Sequence, residues 1–326
     1  MEEIEEINAP QESNFYLEKV EAIKAEMQKV IVGSESMIDC IILGLLNSGH
    51  VLIEGVPGIA KTLAALCFSK TIKGDYKRIQ FTPDLMPTDI TGTNIFNAKE
   101  GSFEFKKGPV FTNVLLIDEI NRAPAKTQSA LFEIMEEKQI SYDGETYPMA
   151  FPFIALATQN PIEQEGTYRL PEAQMDRFLF RIIAKYPSYE NEVRILNRFL
   201  DKSKNEKVAE IKPVLNGKDL EKMMELQNKV FVKPEILEYI VKIVEETRQH
   251  ADIYVGASPR ASLALMNVSR SVALLNNRDF VTPDDVREFA FEILNHRIIL
   301  NPESEMAGKT EEVVLNEVIA KIEVPR

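Results

Sequence analysis

Apolar and polar positions change their rhythm once along this chain, near residue 186. Before that point, the compact apolar run at 50–54 reads as a buried strand, and further buried strands are suggested at 77–81, 113–117, 153–158 and 177–184. Between several of them lie stretches with helical spacing, at 62–71 and 124–138. Two more helices precede the first strand, at 15–29, where Leu17, Val20, Ile23, Ala25 and Met27 are the less polar positions, and at 35–47. Strands alternating with helices predict an α/β fold, a parallel sheet flanked by helices. Two segments interrupt the alternation. Residues 94–105 carry Ile95 and Phe96, then a Lys-Glu-Gly turn, then Phe103 and Phe105 at period two. Residues 139–149 place Asp143-Gly144 between Ile140/Tyr142 and Tyr147, and Asp-Gly suits the type I′ turn of a hairpin.

Beyond Lys185-Tyr186-Pro187 the strand signals fade and helices follow at 189–201, 219–229, 234–249, 259–275, 283–295 and 310–322. Pro234, Pro259 and Pro283 stand in first turns, where a missing N–H costs nothing. Thr282 ahead of Pro283-Asp284-Asp285 adds a cap and early acids. The charged stretch 201–212 reads as a surface connection. The expected division is therefore an α/β domain over 1–186 and an all-helical domain over 187–326.

Composition narrows the class. With 326 residues, 44% of them hydrophobic and 27% charged, the chain suits a soluble globular protein with a sizeable core. Cys40 and Cys67 lie in apolar surroundings without CxxC spacing, which points to reduced structural thiols and a cytoplasmic setting. The acidic start lacks the basic and apolar regions of a secretory signal. The most apolar stretch, 37–53, is interrupted by Asp39, Asn47, Ser48 and His50, so no membrane insertion is expected. A net charge of −13 argues against a nucleic-acid binder. His50, His250 and His296 are too dispersed in sequence to suggest a metal cluster.

The chemistry is concentrated at strand ends. Gly55-Val56-Pro57-Gly58-Ile59-Ala60-Lys61-Thr62 follows a strand and opens a helix, with Leu63 next. Glycines let backbone N–H groups turn inward around phosphate oxygens, and the helix offers its positive end. Lys61 supplies charge for the β- and γ-phosphates, and the Thr62 hydroxyl is placed for Mg²⁺. Ala60 stands where such a loop usually has glycine, and alanine is acceptable there if that residue is already helical. Val114-Leu115-Leu116-Ile117 runs into Asp118-Glu119, so Asp118 is placed to bind the metal through water and Glu119 to polarise an attacking water. The strand ending Thr158-Gln159-Asn160-Pro161 brings an amide, Asn160, that can orient the same water. Arg177 has two readings: a charge that reaches the γ-phosphate across a subunit interface, or a surface partner of Asp176 or Glu172. Arg260 sits in the first turn of its helix, where the dipole disfavours a cation, so it needs an anion, phosphate or carboxylate. The chain lacks the Asn-Lys-x-Asp of guanine sites; Asn228-Lys229-Val230-Phe231 has no acid, which favours ATP.

These blocks together resemble the AAA+ ATPases, and within them the MoxR family. GVPGIAKT looks like the family's phosphate loop, Ala60 included; LLIDEINRAPAKTQSALFEIMEE, QFTPDLMPTDITG, ATQNP, LPEAQMDRF and GASPRA look like its other blocks in the same order. The resemblance spans about residues 30–300. It implies an AAA+ core with a helical lid, Lys61 and Thr62 as Walker A residues and Asp118 and Glu119 as the Walker B pair. It also implies Asn160 as first sensor, Arg177 as arginine finger and Arg260 as second-sensor arginine, acting in cis or in trans, with Val32 and Gly33 packing against adenine. The excursions at 94–105 and 139–149 correspond to the helix-2 insert and the hairpin before the first sensor, and are candidates for client contact. Cofactors implied are ATP and Mg²⁺; partners implied are further copies in a hexameric ring and a protein client, in some relatives one with a von Willebrand factor A domain. A motor on nucleic acid and a non-hydrolysing switch are the rival expectations. The acidic balance speaks against the first, and Glu119 with Asn160 against the second.

Overall fold

The computed structural model describes residues 9–161, 168, 170–200 and 203–325. Residues 1–8 of the acidic start lie outside them. Two compact units divide the chain: Ile23–Phe178 with Ile182–Gly217, and Met1–Ala22 with Leu179–Arg181 and Lys218–Arg326.

In the first unit, helix α2 (Glu35–Leu46) leads to β1 (Val51–Glu54), and α3 (Lys61–Thr71) to β2 (Tyr76–Gln80). The helix before them, α1 (Ala9–Gln28), is shared by the two units. A short α4 (Pro87–Thr91) precedes the hairpin β3 (Gly92–Asn97) and β4 (Ser102–Lys107). Next come β5 (Val114–Asp118), α5 (Ala125–Glu137), the hairpin β6 (Gln139–Tyr142) and β7 (Glu145–Pro148), β8 (Ile154–Gln159), α6 (Glu172–Met175) and β9 (Phe180–Ile183). Strands β2, β5, β8, β1 and β9 form one sheet in that order. Valines, isoleucines and leucines fill β1, β5 and β8 because both faces are covered. Leu52, Leu115, Ile117, Ala155 and Ala157 meet Leu131, Phe132 and Met135 of α5 on one side. On that sheet α2 packs against β1 and β8, and α3 against β5 and β8. The parallel register aligns Gln80 with Asp118, Ile117 with Ala157, and Glu54 with Gln159. Four strands therefore end at one edge, which is where ligands meet an open α/β sheet.

Both excursions are hairpins. Asp143 and Gly144 take φ of 53° and 82°, the left-handed pair that a type I′ turn needs. Phe105 stacks on Tyr147 with centroids 4.5 Å apart and lies 5.1 Å from Tyr142, so the two hairpins pack on each other.

The first unit does not stop at the sheet. Helices α7 (Tyr189–Arg198) and α8 (Lys204–Ala209) belong to it, so the expected boundary at residues 186/187 falls inside this unit, which runs to Gly217. The stretch read as a plain connection, 201–212, holds α8: Ser203 Oγ accepts from Glu206 N, and Ser203 N donates to Glu206 Oε2 at 2.6 Å. Ser-x-x-Glu is a reciprocal cap, legible in sequence and passed over because the charged residues around it resemble a loop.

The second unit contains α9 (Gly217–Lys229), α10 (Pro234–Gln249), β10 (Ile253–Val255), α11 (Pro259–Leu275), α12 (Pro283–Glu288), α13 (Ala290–Leu294), β11 (Ile299–Leu300), α14 (Pro302–Met306) and α15 (Glu311–Lys321). The helix expected over 283–295 is two, broken at Phe289, whose φ of −116° leaves the helical region. Strands β10 and β11 pair antiparallel and are too short to show as a pattern. Cys40 and Cys67 are buried free thiols, and burial pushes the Cys67 thiol up to about 12. No described helix is long and apolar enough to cross a membrane.

Candidate active site

The loop from Gly55 to Ala60 carries the chain from β1 into α3. Gly55 is required by crowding: a Cβ there would lie 2.4 Å from Ile59 Cδ1 and 2.7 Å from Ala184 O. Gly58, at φ +88°, turns toward open space. The condition that would make alanine easy at position 60, a helical backbone, is not met. Ala60 caps α3 in the left-handed region, φ 63° and ψ 21°, with its carbonyl accepting from Ala64 N at 2.8 Å. A residue with a Cβ pays roughly 1 kcal/mol there, which is why glycine is usual at such a bend. Lys61 Nζ donates to the carbonyls of Gly55, of Val56 at 3.4 Å and of Gln159 at 3.2 Å, which holds the ammonium inside the loop.

Asp118, at the tip of β5, is almost fully buried and bonded at both oxygens. Thr62 Oγ1 and Thr158 Oγ1 donate to Oδ1 at 3.1 and 3.2 Å, and Arg78 Nε lies 2.6 Å from Oδ2. Thr158 Oγ1 also accepts from Glu119 N at 3.0 Å, so one residue of β8 holds the side chain of Asp118 and the backbone of Glu119. Glu119 sits at φ 58°, an uncommon conformation for a side chain of its size, and projects over the strand tips. Gln80 Nε2 donates to its Oε2 at 2.8 Å, and Arg122 Nε pairs with the same oxygen at 2.7 Å.

A cavity of about 430 Å³ joins these groups. Pro57, Gly58, Ala60, Lys61, Thr62, Leu63, Asp118, Glu119 and Asn160 line it, together with Arg78, Gln80, Thr158, Gln159 and Lys204. The size is that of a small-molecule site. A smaller cavity of about 130 Å³ shares Gly58, Ala60 and Leu63 and continues over Val30, Ile31, Val32, Ile59, Pro187, Ile195 and Phe199, with Ser34 and Lys185 as its polar members. Its lining has no carboxylate. Gly33 does not line it; at φ +70° it is pressed against the Asn191 side chain, where a Cβ would come within 2.3 Å.

Arg177 and Arg260 are not gathered here. Arg177, in the turn after α6, pairs with Glu136 at 2.8 Å, a partner distant in sequence. Arg260 belongs to the second unit; it is exposed in the first turn of α11, its backbone N–H capped by Ser258 Oγ at 3.2 Å. Residues that the sequence reading missed are Arg78 and Gln80, on alternate positions of β2, and Lys204 in α8. Period-two polar residues on an edge strand look like a solvated face, and only the β2/β5 register turns them toward the acid pair.

His50 is structural. Nδ1 accepts from Ala155 N at 2.9 Å and Nε2 meets Met135 O at 3.0 Å, tying the end of α5 to β8. Burial pushes its pKa down to about 4.

The donor set fits a hard divalent cation and an anion together: a hydroxyl and a carboxylate oxygen for the first, glycine-rich backbone with a lysine for the second. Comparison with known proteins agrees. Residues 50–180 match the ATPase family associated with various cellular activities (AAA), and 245–318 match the AAA lid domain. The chain is 44% identical to the protein named Chaperone MoxR1 of Mycobacterium tuberculosis, over 92% of this chain and 81% of that one. It is 29% identical to Protein MoxR of Methylorubrum extorquens, over 86% and 88%. A crystal structure of a protein from Cytophaga hutchinsonii superposes with a TM-score of 0.88 at 42% identity, covering 97% of this chain and 98% of that one. On these grounds the chain belongs to the MoxR family of AAA ATPases.

Proposed function

We propose that this ATPase hydrolyses ATP with Mg²⁺ at the strand-tip cavity, and that it does so within a ring of its own copies to remodel a protein client. The convergence of Lys61, Thr62, Asp118 and Glu119 at one end of the sheet carries this reading. The cavity over Val32 and Ile59, mostly apolar and without a carboxylate, suits adenine, which stacks and packs, better than guanine, whose ring N–H and amino group call for an acid.

Lys61 neutralises the β- and γ-phosphates within the loop's inward N–H groups. Thr62 and Asp118 would hold Mg²⁺, which withdraws charge from the phosphoryl oxygens. Glu119 accepts the proton of the attacking water, and Asn160 orients that water. Phosphoryl transfer asks the protein for little covalent chemistry, so positioning and electrostatics supply the rate. Arg177 serves as the finger of a neighbouring site. Its pair with Glu136 is partly exposed on both sides, and such pairs contribute only about 0–1 kcal/mol, so a phosphate can replace the carboxylate cheaply. Arg260 senses nucleotide from the lid. A hexamer is the expected ring, and a chaperone-like role follows the name of the Mycobacterium relative. A client with a von Willebrand factor A domain and a cytoplasmic setting complete the reading.

The test is ATP turnover against protein concentration. Turnover per subunit should rise with concentration, as a composite site requires. A value flat across the range over which rings assemble would remove Arg177 from the chemistry.

A further inference from the structure

Arg78 has no part in the roles assigned above, yet it touches the metal-binding carboxylate. Its place follows from strand geometry. Tyr76, Arg78 and Gln80 alternate with Lys77 and Ile79 and so share one face of β2. The register sets β2 beside β5 with Gln80 opposite Asp118. Arg78 Nε lies 2.6 Å from Asp118 Oδ2, and Nη2 donates to Gln80 Oε1 at 3.3 Å, while Gln80 Nε2 holds Glu119. The guanidinium thus touches one acid directly and is linked to the other through Gln80.

The two ends of the ion pair differ in freedom. The Asp118 side chain is 6% exposed and the Arg78 side chain 53%, and Arg78 lines the cavity. A buried carboxylate needs a counter-charge. A divalent cation held by Thr62 and Asp118 supplies that charge and repels a guanidinium a few ångströms away. Asp118 cannot move, since two hydroxyls hold Oδ1. Arg78 can, and the open direction is the cavity it already faces.

We propose that Arg78 is a mobile cation of the phosphate site: it carries the counter-charge of Asp118 until a divalent cation takes that place, and then turns onto the terminal phosphate of the same subunit. This rests on the reading of Thr62 and Asp118 as metal donors. It makes two demands that differ in sign. Removing Arg78 weakens triphosphate binding and removes a competitor of the metal.

The test is equilibrium binding of fluorescent ATP and ADP analogues across a Mg²⁺ titration, with wild type, Arg78→Ala, Arg78→Lys and Lys61→Ala. Arg78→Ala should lose about tenfold in ATP affinity, the scale of one charge-assisted hydrogen bond, with ADP affinity changed less than about twofold. Its Mg²⁺ half-saturation in the ADP complex should fall severalfold. Arg78→Lys should recover part of the ATP preference. Equal loss for both nucleotides would make Arg78 a structural strut and overturn the proposal, as would a Mg²⁺ half-saturation that stays put or rises. Lys61→Ala tests the underlying site separately: loss of both nucleotides supports it, and wild-type binding would remove the site whatever Arg78 does.

Discussion

Two buried aspartates, one in each unit, face an arginine across a similar distance, and they have opposite characters. Asp285, in α12, is saturated. Arg278 holds it with both terminal nitrogens, at 2.7 and 2.5 Å, and Thr282 donates both its N–H and its hydroxyl, at 2.7 and 2.8 Å. Burial pushes its pKa up, but Arg278 and Thr282 outweigh that and hold it below the usual carboxylate range. Asp118 has its hydroxyl partners on one oxygen and, on the other, a half-exposed arginine that offers Nε alone. The first arrangement closes a helix start and leaves nothing for a ligand. The second is complete enough to keep the carboxylate aimed and open enough to take a cation. Saturation of the hydrogen-bonding capacity, more than burial, separates the structural acid from the functional one.

The sharpest way to break this comparison is to truncate both. Asp118→Ala should lower ATP turnover by at least about two orders of magnitude, the scale of a lost catalytic electrostatic contact, while denaturant midpoints move little because Arg78 can turn to solvent. Asp285→Ala should cost about 3 kcal/mol in denaturant unfolding, because Arg278 and the Thr282 N–H lose a buried partner. The reverse pattern, with Asp118 the stabilising residue, would undo the distinction.

His50 gives a smaller effect with a definite sign. Its folded pKa is about 4, below the ordinary 6.5, so the unfolded chain binds the proton more readily. Its contribution is fully present above about pH 6.5 and is lost as pH falls toward 4, amounting to roughly 3 kcal/mol across that window. Thermal denaturation between pH 4 and 7 should steepen with His50 present and flatten in His50→Gln.

Much of the fold was legible because it rests on local signals. Continuous apolar runs marked the buried strands, and Pro234 and Pro259 marked helix starts that the structure places at the same residues. The loop at 55–62 and the Asp118-Glu119 tip are also local signals, and residues of both line one cavity. What escaped depends on contacts between distant segments. Arg78 and Gln80 acquire meaning only from the β2/β5 register, and Glu136 becomes a partner of Arg177 only when α5 and the turn after α6 meet. The conformation of Ala60, on which its fit was conditional, was hidden for another reason: the bend of the loop is set by the path from β1 to α3, and the left-handed cost falls locally. The helix that carries Lys204 was legible from its cap, Ser203 with Glu206, but its place at the cavity depends on tertiary contacts.

The central claim is that the strand-tip cavity hydrolyses ATP with Glu119 as the group that draws the proton from water. Its most direct test is to incubate wild type and Glu119→Gln with ATP and Mg²⁺, quench, and separate the protein-bound nucleotides. Wild type should hold ADP, and Glu119→Gln should hold unhydrolysed ATP at close to its binding capacity. ADP on Glu119→Gln at the wild-type rate, or no ATP bound by either protein, would contradict the account.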